Sequence, residues 1–266
     1  MPESATAQSS RQSTHSAITH FDEAVTVHKK SDFRFEMLRA TYYDRVHERF
    51  GEDDFLSLGL SDEDGLLTNA GMLFADDCVL PQSRIRCIRW EGLQESSAPE
   101  ELLDDYEYKG CLLRLLREGL AFAERNNLKS WKKIAGPNKL NMHSHIDSVA
   151  EEALLNALAH RDYRVDEGVT ISVFANRIEI VSPGGKVDGK SLKDTGASKA
   201  DNPRRNPLVA DLLRKMRFGE DRDTGLRFIR ERTALAPNYK DEFKPQFSDN
   251  GKHFKVILWN MNCKEL

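Results

Sequence analysis

Glu152, Asn156 and His160 stand four and four residues apart in the string EEALLNALAHRDY, residues 151–163. At about 100° per residue, that spacing draws the three into one stripe along a helix. A carboxylate so placed can hold and deprotonate a water. A neighbouring amide oxygen can ligate a hard cation such as Mg²⁺. Asn is mildly unfavourable in mid-helix, because its side chain competes for backbone hydrogen bonds, so a polar role is suggested. Val149, Ala153, Leu154 and Ala157 supply the apolar faces beside the stripe. The same spacing also describes the solvated edge of an ordinary amphipathic helix, and spacing alone leaves both readings open.

Two glycine-bearing strings follow. Ser182-Pro183-Gly184-Gly185 closes an apolar alternating run, where glycine lets the backbone turn sharply or approach a ligand. Asp223-Thr224-Gly225-Leu226 opens a helical pattern, and the free N–H groups of a helix start suit an anion. Between them, Arg204-Arg205-Asn206-Pro207 puts two cations ahead of a proline-started helix. These cations could meet phosphate or lie in a solvated loop.

The elements that must carry these groups can be read from periodicity. One helix is predicted over about 146–159, followed by strands over 169–174 and 178–181 in which Val169, Ile171 and Val173 share a face. A glycine- and lysine-containing segment runs over 182–203. Helices are predicted over 207–216 and 224–232, and a closing hairpin turns at Asn250-Gly251. Farther upstream, 1–20 is a polar low-complexity arm, expected to stay unfolded. Phe35, Met37, Leu38, Tyr42 and Val46 mark a helix within 21–50. Thr68 is placed to cap a short helix reaching Phe74. Residues 84–90 alternate basic and apolar side chains as a strand, and 112–128 read as a leucine-rich helix. Two polar stretches, 91–107 and the one around Gly136-Pro137-Asn138, read as loops. The expected fold is α+β, with helices layered on a mostly antiparallel sheet. Its units are the arm at 1–20, a smaller α/β region at 21–140 packed on the rest, and a module at 141–266.

The chain has 266 residues, with 39 Lys+Arg against 43 Asp+Glu and a net charge of -4. That balance argues against a polybasic nucleic-acid coat protein. No apolar run approaches the roughly 18 residues of a membrane span. The four cysteines show no C-x-x-C spacing, which suits a reduced, cytoplasmic protein better than a disulfide frame or zinc site.

EALLNALAHRDY, NRIEIVSPGG, RRNPLVADLL and EDRDTGLRFI occur in this order. Together they resemble the GHKL-type, histidine-kinase-like ATP-binding domain of bacterial RecG-related proteins and transcriptional regulators. DEDGLLTNAGMLFADD and RIRCIRWEGL resemble the segment preceding that module, so the likeness runs over about 58–259. It implies a Bergerat-like ATPase domain that binds ATP and Mg²⁺. Glu152 would be the catalytic, water-positioning carboxylate and Asn156 the metal-ligating amide. His160, Ser182, Gly184, Gly185, Arg205, Thr224 and Gly225 would complete the nucleotide site. The family usually carries an AlbA-like (Schlafen-type) N-terminal domain, for which 21–57 is too short. No Walker motif is present, so the resemblance implies no helicase motor.

The departures bear on chemistry. Ser182 stands where the family has an aspartate that accepts from adenine, and a hydroxyl is a weaker acceptor. Asp223 replaces a glycine beside the phosphates, where its charge repels them. These changes predict nucleotide binding with at most weak ATPase activity. Residues 186–230 hold twelve Lys/Arg against seven Asp/Glu. That local excess keeps open a DNA- or RNA-binding regulator, or a non-catalytic interaction module with a vestigial pocket. Relatives of this type suggest a homodimer.

Overall fold

The computed structural model describes residues 20–127, 129–133, 139–143, 147–185, 204–219 and 225–263, with the backbone alone over 129–133 and 139–143. The polar arm, the 186–203 segment and Thr224 lie outside them.

Six strands form the main sheet: β3 (Arg84–Trp90), β4 (Leu102–Lys109), β7 (Val169–Val173), β8 (Arg177–Pro183), β9 (Gln246–Asp249) and β10 (His253–Trp259), in the order β4-β3-β7-β8-β10-β9. Every neighbouring pair is antiparallel except β3 and β7. Two small antiparallel pairs lie apart from it: β1 (Val25–Lys29) with β2 (Leu66–Thr68), and β5 (Lys129–Lys133) with β6 (Lys139–His143).

The sheet's pleat sorts its side chains. Ile85, Cys87, Ile171, Val173, Ile178, Ile180, Val256 and Leu258 are buried on one face. The helices α4 (Leu112–Arg125) and α5 (Asp147–His160) cover that face, and α5 packs on α4 and on α7 (Gly225–Ala234). The short helices α1 (Glu36–Val46), α2 (Asp53–Ser57) and α3 (Asn69–Phe74) add Leu38, Tyr42, Phe55, Met72 and Phe74 to the same core. Helix α6 (Pro207–Lys215) packs against α5. The fold is therefore α+β on a mostly antiparallel sheet, as expected. Thr68 caps α3, its hydroxyl accepting from the Gly71 N–H at 3.1 Å.

Two stretches expected as loops are strands. Residues 102–109 form β4, whose acidic side chains answer the basic ones of β3. Arg86 reaches Asp105 at 2.7 Å and Arg84 reaches Glu107 at 3.8 Å. Opposite charges facing across a ladder favour pairing, so polarity that suggested a loop belongs to a cross-strand match. On either side of Gly136-Pro137-Asn138, which lie outside the described residues, 129–133 pairs antiparallel with 139–143. Within 21–50 the helix is confined to α1, because 25–29 pairs as β1.

Upstream of β1, Asp22 is fully buried, its Oδ2 accepting from the Val209 N–H of α6 at 3.1 Å. A carboxylate at a helix N-terminus is well placed, yet burial dominates and pushes its pKa up from 3.8 to about 6. An acid whose pKa is raised on folding favours the folded state when protonated, so stability declines as pH rises from about 4 to about 6. Asp22→Asn keeps an acceptor for Val209 and removes the titration. Urea unfolding at pH 4.5 and 7.5 is expected to show the variant gaining on the wild type at the higher pH, by about 2 kcal/mol. A difference that does not move with pH would refute this account.

Candidate functional site

Helix α5 is buried on nearly all sides: Val149, Ala150, Ala153, Leu154, Leu155, Ala157 and Leu158 lie in the core. Glu152 is only 6% exposed and so is no solvated edge, while Asn156 is half-buried and His160 exposed. The Asn156 amide Nδ2 donates to the Glu152 backbone oxygen and to Glu152 Oε1, both at 2.8 Å. That hold fixes the amide's orientation and turns its Oδ1 away from the carboxylate.

The start of α7 rests directly on this pair. A Cβ added to Gly225 would stand 2.4 Å from Glu152 Oε1 and 2.5 Å from Asn156 Nδ2. Gly219, at φ +73°, approaches the other carboxylate oxygen, with its would-be Cβ 3.3 Å from Glu152 Oε2. Two glycines on either side of the α6–α7 connection thus bring backbone against a buried carboxylate. Gly219 escaped the sequence reading. It is a lone glycine four residues past the end of α6, and the left-handed residue that closes that helix is Arg217, at φ +57°. His160 is the last residue of α5.

A second group gathers where α5 ends. Ser182 is buried and its hydroxyl donates to the Ala157 carbonyl at 2.9 Å. Gly184 adopts φ +91° and donates its N–H to the Lys252 carbonyl at 2.6 Å. Gly185 is packed against the Asp249 carboxylate and Gly251. Arg205 donates to Asp162 Oδ2 at 2.5 Å and to the Gly185 carbonyl at 2.7 Å. Asn206 donates to the Ala159 and Arg161 carbonyls, each at 2.9 Å, closing the end of α5. The structure therefore brings Glu152, Asn156 and Gly225 together, and separately Ser182, Gly184, Gly185 and Arg205.

The thiols take no part. Burial pushes Cys78 up to about 11 and Cys87 up to about 12, so both stay protonated and unreactive near neutral pH. Among the described residues, no group of three or more His, Cys, Asp or Glu could hold a metal ion. No described helix is long and apolar enough to cross a membrane.

Residues 166–258 match the family described as "Putative ATP-dependent DNA helicase recG C-terminal". The recG C-terminal match takes in β7, β8, α6, α7, β9 and most of β10, with Ser182, Gly184, Gly185, Arg205 and Gly225. Glu152, Asn156 and His160 precede it on α5. No curated protein matches the chain. Among solved structures, the DIP2311 protein from Corynebacterium diphtheriae is similar in fold, at TM-score 0.73 and 19% identity. The likeness covers 92% of this chain and 48% of that one, so the chain spans about half the length of that structure. The recG C-terminal family is ATPase-like, and its match supports a nucleotide-binding module.

Proposed function

We propose that the chain is an ATP-binding regulatory module whose phosphate end lies at Glu152, Asn156 and Gly225. The observation that carries this reading is the Asn156 amide, held by Glu152 on its nitrogen side at 2.8 Å beneath the first turn of α7. Among the described residues its oxygen accepts no hydrogen bond, and an amide oxygen suits Mg²⁺. That ion usually takes one or two protein ligands and fills its octahedron with phosphate oxygens and water. The start of α7 supplies N–H groups and positive dipole for anionic oxygens. Asn156 would hold the ion, which would neutralise phosphate charge, and Glu152 would orient Asn156 and a water.

The base end is less well equipped. The Ser182 hydroxyl donates its only proton to Ala157, so it offers the adenine amino group a neutral oxygen. Binding with slow turnover follows, which suits a module that reports nucleotide to another part of a protein. Its affinity for DNA or RNA, and its pairing with a second copy, belong to the same proposal as possible outputs of that switch.

Calorimetric titration with ATP and Mg²⁺ tests the reading. Saturable binding in the wild type is expected, falling about 100-fold in Asn156→Ala and on chelation of Mg²⁺. Absence of heat with ATP and with ADP at millimolar concentration would overturn it.

A further inference from the structure

Arg205 looked from the sequence like a cation for phosphate, but its guanidinium is already engaged. One arm, Nη1, meets Asp162 Oδ2 at 2.5 Å, and the other, Nη2, meets the Gly185 carbonyl at 2.7 Å. Both side chains of the ion pair are largely shielded, 13% and 19% exposed. The contacts around it converge on one turn. The Asp162 N–H donates to the Pro183 carbonyl at 2.8 Å, and the Gly184 N–H to the Lys252 carbonyl at 2.6 Å. Gly184 lies at φ +91°, a conformation only glycine adopts freely. A Cβ there would stand 2.9 Å from both Arg205 Nη1 and the Asp162 Cβ. The next residue, Asn206, is fully buried and closes the end of α5.

We infer that Arg205 is a positioning residue, a clamp that joins the end of α5, the Gly184–Gly185 turn and the start of α6, and that it does not bind phosphate. The planar fork makes the role specific to arginine. It serves a carboxylate and a carbonyl at once, where a lysine ammonium offers a single point charge. The clamp sets the path of the backbone at the base end of the site, so its effect on ligand rests on the nucleotide-binding reading. Its effect on the turn does not.

The experiment has two arms on the full chain, with Arg205→Lys and Asp162→Asn as variants. In the unliganded protein, amide hydrogen exchange at Gly184 and Asp162 is expected to rise about tenfold in either variant. Exchange at the Phe174 N–H, bonded to the Arg177 carbonyl across the β7–β8 turn, is expected to stay the same. A general loss of stability would raise all three together. The double variant is expected to resemble the single ones, because the two residues act as one contact. Exchange unchanged at Gly184, or raised equally at Phe174, overturns the clamp. In the second arm, affinities for ATP, ADP and AMP are expected to fall by a common factor. A loss that grows with the number of phosphates would make Arg205 a phosphate ligand and overturn the proposal. Absence of nucleotide binding in the wild type would defeat the functional reading alone, with the exchange arm still deciding the clamp.

Discussion

Gly225→Ala is expected to lower nucleotide affinity about 100-fold while changing the stability of the fold by no more than about 1 kcal/mol. The two numbers separate because the new methyl group meets side-chain tips and not backbone. It would stand 2.4 Å from Glu152 Oε1 and 2.5 Å from Asn156 Nδ2, well inside contact distance. Those two groups must swing away, which breaks their 2.8 Å bond and releases the amide. The helix itself favours the change, since alanine is a better helix former than glycine by up to about 1 kcal/mol. Calorimetry with Mg²⁺ and ATP beside urea unfolding checks both halves. Unchanged affinity would remove the α5–α7 contact from the site. A large loss of stability with normal affinity would make that contact a matter of packing.

Arg161→Met is expected to cost about 3–5 kcal/mol of folding stability, readable as a large fall in the urea midpoint. Arg161 is fully buried, and its hydrogen bonds among the described residues all go to backbone carbonyls. Its guanidinium donates to the Gln82 carbonyl at 2.5 Å, to the Val165 carbonyl at 3.2 Å and to the Glu167 carbonyl, and stacks over the Tyr163 ring at 4.5 Å. Gln82 stands two residues before β3 and Glu167 two residues before β7, so one side chain cinches the starts of the two parallel strands. Arg84 adds a bond to the Asp166 carbonyl at 2.8 Å. Methionine matches the length of the stem but takes the donor from the Val165 and Glu167 carbonyls, each costing about 1–3 kcal/mol when buried, while the Gln82 carbonyl keeps the Arg84 N–H at 2.8 Å. Relief of the guanidinium's desolvation offsets part of this, and the offset is included in the range. A loss below about 1 kcal/mol would mean that water replaces the guanidinium at little cost.

Much of the C-terminal half was legible because its signals are local. Val169, Ile171 and Val173 alternate as a half-buried strand must, Asn250-Gly251 marks a hairpin, and proline opens α6 at Pro207. The Glu152–Asn156 pair was visible as a four-residue spacing, but its burial was not, since burial depends on α4, α7 and β8 closing around α5. Strand β4 was hidden for a related reason. Leu-Leu-Asp-Asp-Tyr-Glu-Tyr-Lys is too acidic to read as a strand until Arg84 and Arg86 lie across from it. Arg205 shows the same limit, since its contacts with Asp162 and the Gly185 carbonyl appear only in the fold. A cation in sequence carries no sign of whether its partner will be phosphate, carboxylate or a backbone carbonyl.

The parallel pairing of β3 with β7 has a consequence for how such a module can be cut or inherited. The recG C-terminal match begins at residue 166, just before β7, and β3 and β4 lie outside it. A piece that began there would carry β7 as a bare margin, with Thr170 and Ser172 backbone groups that now pair with Arg86 and Ile88 facing solvent. An unpaired, β-branched strand margin recruits other chains. It would also lack α5, and with it both halves of the Glu152–Asn156 pair. The unit that can be transplanted intact is therefore larger than the stretch that sequence similarity picks out, and reaches back at least to the start of β3.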